Sequence, residues 1–421
     1  MGRGTTISLL LTTLFLTCVA VIAYDLVFSR KRSKWPPCPP RLPLVGNLHQ
    51  IMKGDNILST LTDMAKLYGP VMTVWMGLSP MIILTGQTAI WEALVNQASN
   101  FVDRRKLYSR QYTTANFNTI LISPCNERWT KLRKLLRNNV LSPFHIASQS
   151  SAHQACFCDL FNTLEKEMEA NSGVVRPLDR VYFKQSAPDC YLNCLLSVGE
   201  EDDEENKLKF SDEEIALNLF ELFLLAVDST SSALEWALAH LITHPNIQER
   251  AYREVSQAVE GKEHNLLCME DLGKLPYLQA VVKETLRKES IAPLAIPHET
   301  VEECKVMGIT IPAKSSLLFN LHSVCNDPGA WKEPDQFMPE RFLGNMDSDK
   351  VRMWYLPFGA GRRVCAGMDL ANVHVPITLA NLLVKFEWTC VKEGNPPDLT
   401  RHIPSFILEM KYPLEARITY R

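Results

Sequence analysis

Hydrophobic positions follow two periodicities along this chain. Most of it repeats apolar residues with the spacing of α-helices, whereas short runs typical of strands occur at residues 71–76, 81–85, 309–311 and 316–319. Residues 5–24 differ from both patterns, because they are uncharged and mostly apolar over about the 20 residues that a membrane-spanning helix needs. The pattern predicts a mainly α-helical domain with a small β-sheet region, preceded by one N-terminal transmembrane helix.

The flanks of the uncharged stretch predict its orientation. One arginine precedes it, whereas four basic residues follow within positions 30–34. The more positive flank stays in the cytosol, and a cleaved secretory signal would be shorter and carry its positive charge on the other side. We therefore expect a signal anchor at residues 1–29, a basic and proline-rich linker at residues 30–46, and a cytosolic domain at residues 47–421.

The strongest helical signal begins near Ser211 and continues to about Leu241. Ser211 and Glu214 fit a capping box, in which each side chain accepts a hydrogen bond from the backbone N–H of the other residue. Pro245 follows the last apolar residues and marks the stop. A helix of roughly 30 residues is about 45 Å long, enough to cross a whole domain.

Composition and charge exclude several classes of protein. The 421 residues carry 44 basic and 47 acidic side chains, a net charge of −3, so we expect no nucleic-acid partner. Hydrophobic residues make up 46% and charged residues 22%, ordinary values for a globular protein large enough to bury a cofactor. The 12 cysteines are spread too thinly for a disulfide scaffold, so we expect most of them to be buried apolar residues in a reducing compartment.

The candidate chemistry lies in residues 358–367, which read Phe-Gly-Ala-Gly-Arg-Arg-Val-Cys-Ala-Gly. The early glycines permit a tight turn, and Cys365 comes just before a helical pattern over residues 368–386. A cysteine at a helix start beside Arg362 and Arg363 should have a stabilised thiolate. Such a thiolate is either a strong ligand for iron or a redox-active group, and the residues alone leave both possibilities open.

This stretch resembles the haem-binding loop of the cytochrome P450 haem-thiolate monooxygenases, which has the pattern Phe-x-x-Gly-x-Arg-x-Cys-x-Gly. The resemblance implies the cytochrome P450 fold, with haem b as the cofactor and Cys365 as the ligand of its iron. It also implies that Phe358, Gly361, Arg363 and Gly367 bind the cofactor around that ligand. Three further segments resemble the family.

The first is Trp-Thr-Lys-Leu-Arg at residues 129–133, whose outer residues are four apart and therefore share a helix face. The resemblance implies that Trp129 and Arg133 contact a haem propionate, since the planar arginine fork can donate two bonds to a carboxylate. Arg363 and His298 occupy positions where the family has further propionate donors.

The second is Glu-Thr-Leu-Arg at residues 284–287, whose outer residues are three apart on one helix face. Alone, such a pair would be a surface ion pair worth under about 1 kcal/mol. The resemblance instead implies that Glu284 and Arg287 lock with Arg341 in a buried network that supports the haem-binding loop.

The third, residues 225–230 on the long helix, resembles the oxygen-activation segment of the family, with Ala226 in place of the usual glycine. Asp228, Ser229 and Thr230 then supply the acid and hydroxyl groups that pass protons during catalysis. Ser229 replaces the usual threonine and lacks the methyl group that restrains the rotamer. We therefore expect leaky coupling, with some oxygen released as peroxide.

The resemblance implies a monooxygenase that inserts one atom of O2 into an apolar small molecule, by hydroxylation or epoxidation, with electrons from NADPH through a cytochrome reductase. The sequence has no Gly-rich nucleotide fingerprint or flavin motif, and basic residues within 131–137 form a candidate docking face for an acidic reductase. The predicted pocket comprises residues 112–122, Val227 and residues 292–296. The chain looks most like the plant microsomal branch, which implies a single-pass protein of the endoplasmic reticulum membrane in contact with lipid.

Two segments depart from the family pattern. Between Trp129 and Asp228 the chain has too few residues, and we expect it to be shortened around residues 195–210, where a helix pair and a loop would roof the pocket. After Arg287 the chain reads Lys-Glu-Ser-Ile-Ala-Pro, where the family continues towards His-Pro-Pro. The first departure bears on function, because a lid excludes water and retains reactive intermediates.

Two alternatives to the monooxygenase remain. One is a haem-thiolate isomerase or dehydratase that needs no reductase, although such relatives typically lose the acid–hydroxyl pair that Asp228 and Ser229 keep. The other is a truncated, inactive member that binds haem poorly or not at all.

Overall fold

The structure, a computed structural model, describes residues 35–53, 56–106, 111, 113–148, 150–177, 210–262, 265–344 and 352–421, with positions 12, 13, 15–20 and 23 near the N-terminus. Those N-terminal positions are helical and exposed. Three predicted features lie outside the described residues. They are the rest of the predicted anchor, Tyr112 of the predicted pocket, and the stretch expected to be shortened, up to residue 209.

Helices dominate the described part of the chain, as the hydrophobic periodicity predicts. Single π-helical turns, Glu92–Asn96 and Leu136–Val140, extend two of them, and short 3₁₀ turns occur at Met269–Lys274, Pro339–Phe342 and Gly361–Arg363. The helices in chain order are α1 (Leu48–Ile51), α2 (Ile57–Tyr68), α3 (Gln87–Trp91), α4 (Glu127–Leu135), α5 (Pro143–Ser148), α6 (Ser150–Ala170), α7 (Asp212–Thr243), α8 (Pro245–Val259), α9 (Pro276–Glu289), α10 (Leu321–Cys325) and α11 (Met368–Lys385).

The strands form small sheets. The strands in chain order are β1 (Val71–Met76), β2 (Ser79–Thr85), β3 (Val174–Val175), β4 (His298–Glu299), β5 (Cys304–Val306), β6 (Ile309–Ile311), β7 (Ser316–Asn320), β8 (Phe386–Thr389), β9 (Arg401–His402), β10 (Glu409–Met410) and β11 (Ala416–Tyr420). They pair as β1-β2-β7-β4, β3-β11-β8, β5-β6 and β10-β9, with β2 and β7 parallel and the other neighbours antiparallel. All four predicted strands are present, and two of them are slightly longer than predicted.

Helix α7 has the predicted capping box and runs through the core. Ser211 Oγ accepts a hydrogen bond from Glu214 N at 3.2 Å, and Glu214 Oε2 accepts one from Ser211 N at 2.8 Å. The C-terminal half of α7, around the fully buried Trp236, packs against α8, α9 and α11. By length and composition α7 is apolar enough to cross a membrane, but this half of it is part of the domain core.

The cysteines do not occupy the environments that we expected. The described cysteines are all free thiols, yet only Cys325 among them is buried, whereas Cys158 and Cys365 are exposed and most others are half-buried. The expectation of burial is therefore wrong for most of the described cysteines. Aliphatic and aromatic side chains fill the core instead.

A buried ion-pair network joins α9 to a later loop. Glu284 Oε2 accepts a hydrogen bond from Arg287 Nε at 2.7 Å, and Glu284 Oε1 accepts one from Arg341 Nε at 3.2 Å. Arg287 also donates to the carbonyl oxygens of Cys325 and Pro334, at 2.9 Å and 2.8 Å. The structure thus brings together the three residues for which the resemblance implies a structural role.

Removing the central carboxylate should destabilise the fold strongly. In Glu284→Gln the two arginines keep their charges without the partner, and breaking a buried pair in this way costs about 3–5 kcal/mol. We expect a lower urea midpoint for the loss of helical circular dichroism. Arg253→Gln is the matched control, because its ion pair with Glu249 is exposed and worth under about 1 kcal/mol. Equal midpoints for the two variants would contradict the structural role.

Candidate haem-thiolate site

A backbone hydrogen bond folds the cysteine loop back on itself. Cys365 N donates to Phe358 O at 3.0 Å. Gly361 has a φ of +70° and lies so close to the π-helical turn after α3 that a Cβ atom would overlap the carbonyl oxygen of Leu94. This motif glycine is therefore required both for the backbone conformation and for the close approach.

The thiol of Cys365 is accessible to solvent, shortly before α11 begins. Desolvation by the surrounding protein nevertheless raises its pKa, while a backbone hydrogen bond at Gly367 and the charge of Arg133 act in the opposite direction. The prediction that Cys365 has a stabilised thiolate is therefore wrong for the protein without a bound metal ion. A bound metal ion changes this balance, because coordination displaces the thiol proton.

Aromatic and cationic side chains gather beside the cysteine loop. The guanidinium of Arg363 lies 4.0 Å from the ring centroid of Trp129. Trp129 is buried, and its indole N–H donates to Ile120 O at 3.0 Å. Arg133, on the same helix, donates to Val364 O within the loop. The structure thus assembles three of the predicted propionate-binding residues.

Arg104 belongs to this cluster and was missed in the sequence. It is buried, and its Nη1 donates to Ile296 O at 2.6 Å. His298 lies beside it and donates from Nδ1 to Phe101 O at 2.5 Å. The pKa of Arg104 is lowered mainly by burial, and also by the charge of Arg363. The pKa of His298 is lowered mainly by burial, and also by the charge of Arg104. No spacing signal marks Arg104, because its neighbours come from distant segments.

A polar stripe on α7 fixes the loop that precedes α4. Glu214, Asn218 and Glu221 share one helix face at positions i, i+4 and i+7. Asn218 Oδ1 accepts a hydrogen bond from Ile120 N at 3.1 Å, and Glu221 Oε2 accepts one from Leu121 N at 2.9 Å. The stripe therefore positions one wall of the predicted pocket. Its partners lie about 100 residues away along the chain, so no local pattern reveals it.

The predicted oxygen-activation segment lies midway along α7. Ser229 Oγ donates to Leu225 O at 2.6 Å. Asp228 is exposed, yet partial desolvation raises the pKa of its carboxyl group. Ala226 and Thr230 are half-buried. The raised pKa lets the Asp228 carboxyl group keep its proton to higher pH, and the hydroxyl of Ser229 belongs to the next residue along the helix.

The departure after Arg287 contains a buried carboxylate. Glu289 Oε1 accepts a hydrogen bond from His240 Nε2 at 2.8 Å, and Glu289 Oε2 accepts one from Arg401 Nε at 2.7 Å. Burial opposes the ionisation of Glu289, but the charge of Arg401 and the two hydrogen bonds outweigh it and lower the pKa. The unusual residue thus ties β9 to the ends of α7 and α9.

Comparison with known proteins identifies the class. The family model described as Cytochrome P450 matches residues 36–187 and 181–413. (S)-canadine synthase of Papaver somniferum is 35% identical over 98% of this chain and 99% of its own length. Pluviatolide synthase of Podophyllum peltatum is 32% identical over 96% of this chain and 97% of its own. A solved zebra fish cytochrome P450 matches with a TM-score of 0.67 at 21% identity, covering 87% of this chain and 100% of that one.

The chain therefore belongs to the cytochrome P450 family and has its mainly helical fold. It is a haem-thiolate monooxygenase whose cofactor is haem b. Members of the family act on small molecules with electrons from a redox partner.

The residues present fit the anionic edge of haem. Ser123 Oγ is buried, and no partner lies within hydrogen-bonding distance of it in the described part of the structure. The carbonyl oxygen of Ser123 accepts from Arg363 Nη2 at 2.6 Å, so this unpaired hydroxyl adjoins the cationic cluster. A carboxylate among Arg104, Arg133 and Arg363 would pair with the hydroxyl and balance the crowded charges.

Gly361→Ala should impair haem binding more than Gly359→Ala. Both glycines have positive φ, +70° and +72°, so alanine strains the backbone by a similar amount, about 1–2 kcal/mol. A Cβ atom overlaps the Leu94 carbonyl at position 361, whereas nothing lies within 4 Å at position 359. We expect about tenfold weaker haem retention in Gly361→Ala, or about 1.4 kcal/mol, by haem titration. Equal retention in both variants would show that the close approach is unimportant.

Proposed function

We propose that this protein inserts one atom of O2 into an apolar small molecule, by hydroxylation or epoxidation, using electrons from NADPH through a reductase. The observation that carries the proposal is the cluster of Arg104, Arg133 and Arg363 beside Cys365, which suits an anionic cofactor held next to a thiol. The names of the relatives, which include canadine, pluviatolide and cheilanthifoline synthases, support a small-molecule substrate.

Each proposed residue has a limited task. Haem, when bound, supplies the oxygen chemistry. Cys365 would ligate the haem iron. Asp228 would hold a proton and Ser229 would pass it on, and Thr230 is the next residue along α7. Ala226 would leave space beside the helix. The residues proposed to hold the rest of the haem are Trp129, Arg133, His298, Phe358, Gly361, Arg363 and Gly367.

We further propose a single-pass anchor in the endoplasmic reticulum membrane, with the catalytic domain in the cytosol. The uncharged residues 5–24 and the basic residues that follow support this orientation. Lys134 in the last turn of α4 and Arg137 in the π-helical turn that follows are exposed and suit an acidic reductase, whereas Lys131 pairs with Glu127 at 3.5 Å.

Three observations support a shortened roof over the pocket. The alignment with (S)-canadine synthase spans 486 positions although this chain has 421 residues, so that relative has at least 65 residues without a counterpart here. The family model matches in two separate parts, which overlap over residues 181–187. Phe220, Phe223 and Leu224 on α7 are 62%, 48% and 40% exposed, as we expect where a covering element is missing.

The carbon monoxide difference spectrum of the reduced protein tests the proposal. We expect the far-shifted Soret band of thiolate-ligated haem in the wild type and in Cys158→Ala, whose cysteine is exposed on α6, and its loss in Cys365→Ala. A wild type without the band after haem supplementation would favour the inactive alternative. A band without reductase-dependent NADPH consumption would favour the isomerase.

Substitutions at Ser229 test the role of the hydroxyl. In Ser229→Ala, proton transfer loses its carrier, and we expect about threefold or more peroxide per NADPH. Ser229→Thr restores the methyl group that restrains the rotamer, and it should release less peroxide than the wild type. An unchanged ratio of peroxide to NADPH in Ser229→Ala would refute the role.

A further inference from the structure

A second carboxyl group lies near Asp228, on the hairpin formed by β9 and β10. Glu409 is half-buried and directly opposite the exposed His402 in the antiparallel ladder. Side chains directly opposite each other have Cβ atoms about 4.5–5.5 Å apart, so the two groups are neighbours. His402 thus connects Glu409 with solvent.

Hydrogen bonds hold this hairpin against α7 and against the segment that follows α9. Ser232 Oγ donates to Leu408 O at 2.6 Å, and Leu408 N donates to Ile291 O at 2.8 Å. Asp228 is one turn before Ser232 on the same helix face. Glu409, the residue after Leu408, therefore lies beside the helix face that carries Asp228.

The charges that act on Glu409 come from two elements, α7 and β9. Burial and then the negative charge of Asp228 raise the pKa of Glu409, and His402 lowers it. Two ionisable groups on the neighbouring elements are engaged elsewhere. These are Arg401 on β9 with Glu289 on α9 at 2.7 Å, and Glu235 on α7, which accepts from Leu414 N at 2.8 Å.

We propose that Glu409 is the proton reservoir of Asp228: Glu409 holds a proton of its own, passes it to Asp228 after Asp228 has given its proton up, and regains one from solvent through His402. Asp228 gives its proton to the Ser229 hydroxyl as that hydroxyl passes its own proton on. Glu409 then reprotonates Asp228 and regains a proton from His402. One proton enters from solvent for each proton that Ser229 delivers. The electrons come from NADPH, so this inference depends on the proposed function.

The pH dependence of coupling distinguishes a reservoir from a structural residue. The charge of Asp228 keeps Glu409 protonated to higher pH, so Glu409→Gln should remove the proton on which Asp228 draws. We expect the rise in peroxide per NADPH to begin about one pH unit lower than in the wild type. Glu409→Asp should restore the profile, and Glu387→Gln, which changes an exposed carboxylate on β8, should leave it unchanged.

An infrared titration tests the coupling without turnover. In Asp228→Asn the titration midpoint of Glu409 should move to lower pH, and in His402→Gln it should move to higher pH, because the two neighbours act in opposite directions. A normal carbon monoxide band with an unchanged pH profile in Glu409→Gln would overturn the reservoir and leave the proposed function intact. A missing band would overturn the proposed function, while the infrared midpoints would still decide whether the carboxyl groups are coupled.

Discussion

Buried charge has to be balanced, and this constraint explains most of the polar architecture of the domain. Arg287 is balanced by Glu284, and Arg401 is balanced by Glu289, both through short hydrogen bonds. The arginines beside the cysteine loop differ, because within the described residues two carboxylates act on three arginines, Glu221 on Arg104 and Asp103 on Arg363. Positive charge therefore exceeds negative charge beside the loop, and haem propionates have the charge and the hydrogen-bonding capacity to balance it.

Helix α7 connects the separate parts of the site. Its first turns carry the polar stripe that holds the loop before α4, its middle carries Asp228 and Ser229, and its last turns bury His240 against Glu289. Ser232 adds the contact with the β9–β10 hairpin. Because one rigid element carries all these groups, a displacement of α7 would move the pocket wall, the proton-handling residues and the hairpin together.

Local sequence patterns predicted the features that depend on local physics. The capping box at Ser211, the four strands and the turn of the cysteine loop all follow from neighbouring residues, and all are present. Arg104 and Glu221 were missed, since their roles arise from contacts between segments far apart in the chain. The thiol of Cys365 was misjudged for a related reason, because desolvation depends on tertiary packing that a helix-start argument does not include.

The uncovered aromatic residues of α7 affect how the protein behaves outside the cell. Phe220 and Phe223 present apolar surface to water on a long, regular helix, and neighbouring molecules can bury that surface by associating. Purified material is therefore expected to aggregate as its concentration rises, even when detergent shields the apolar residues 5–24. Solubility will then depend on a strip in the middle of the domain as much as on the apolar N-terminal stretch.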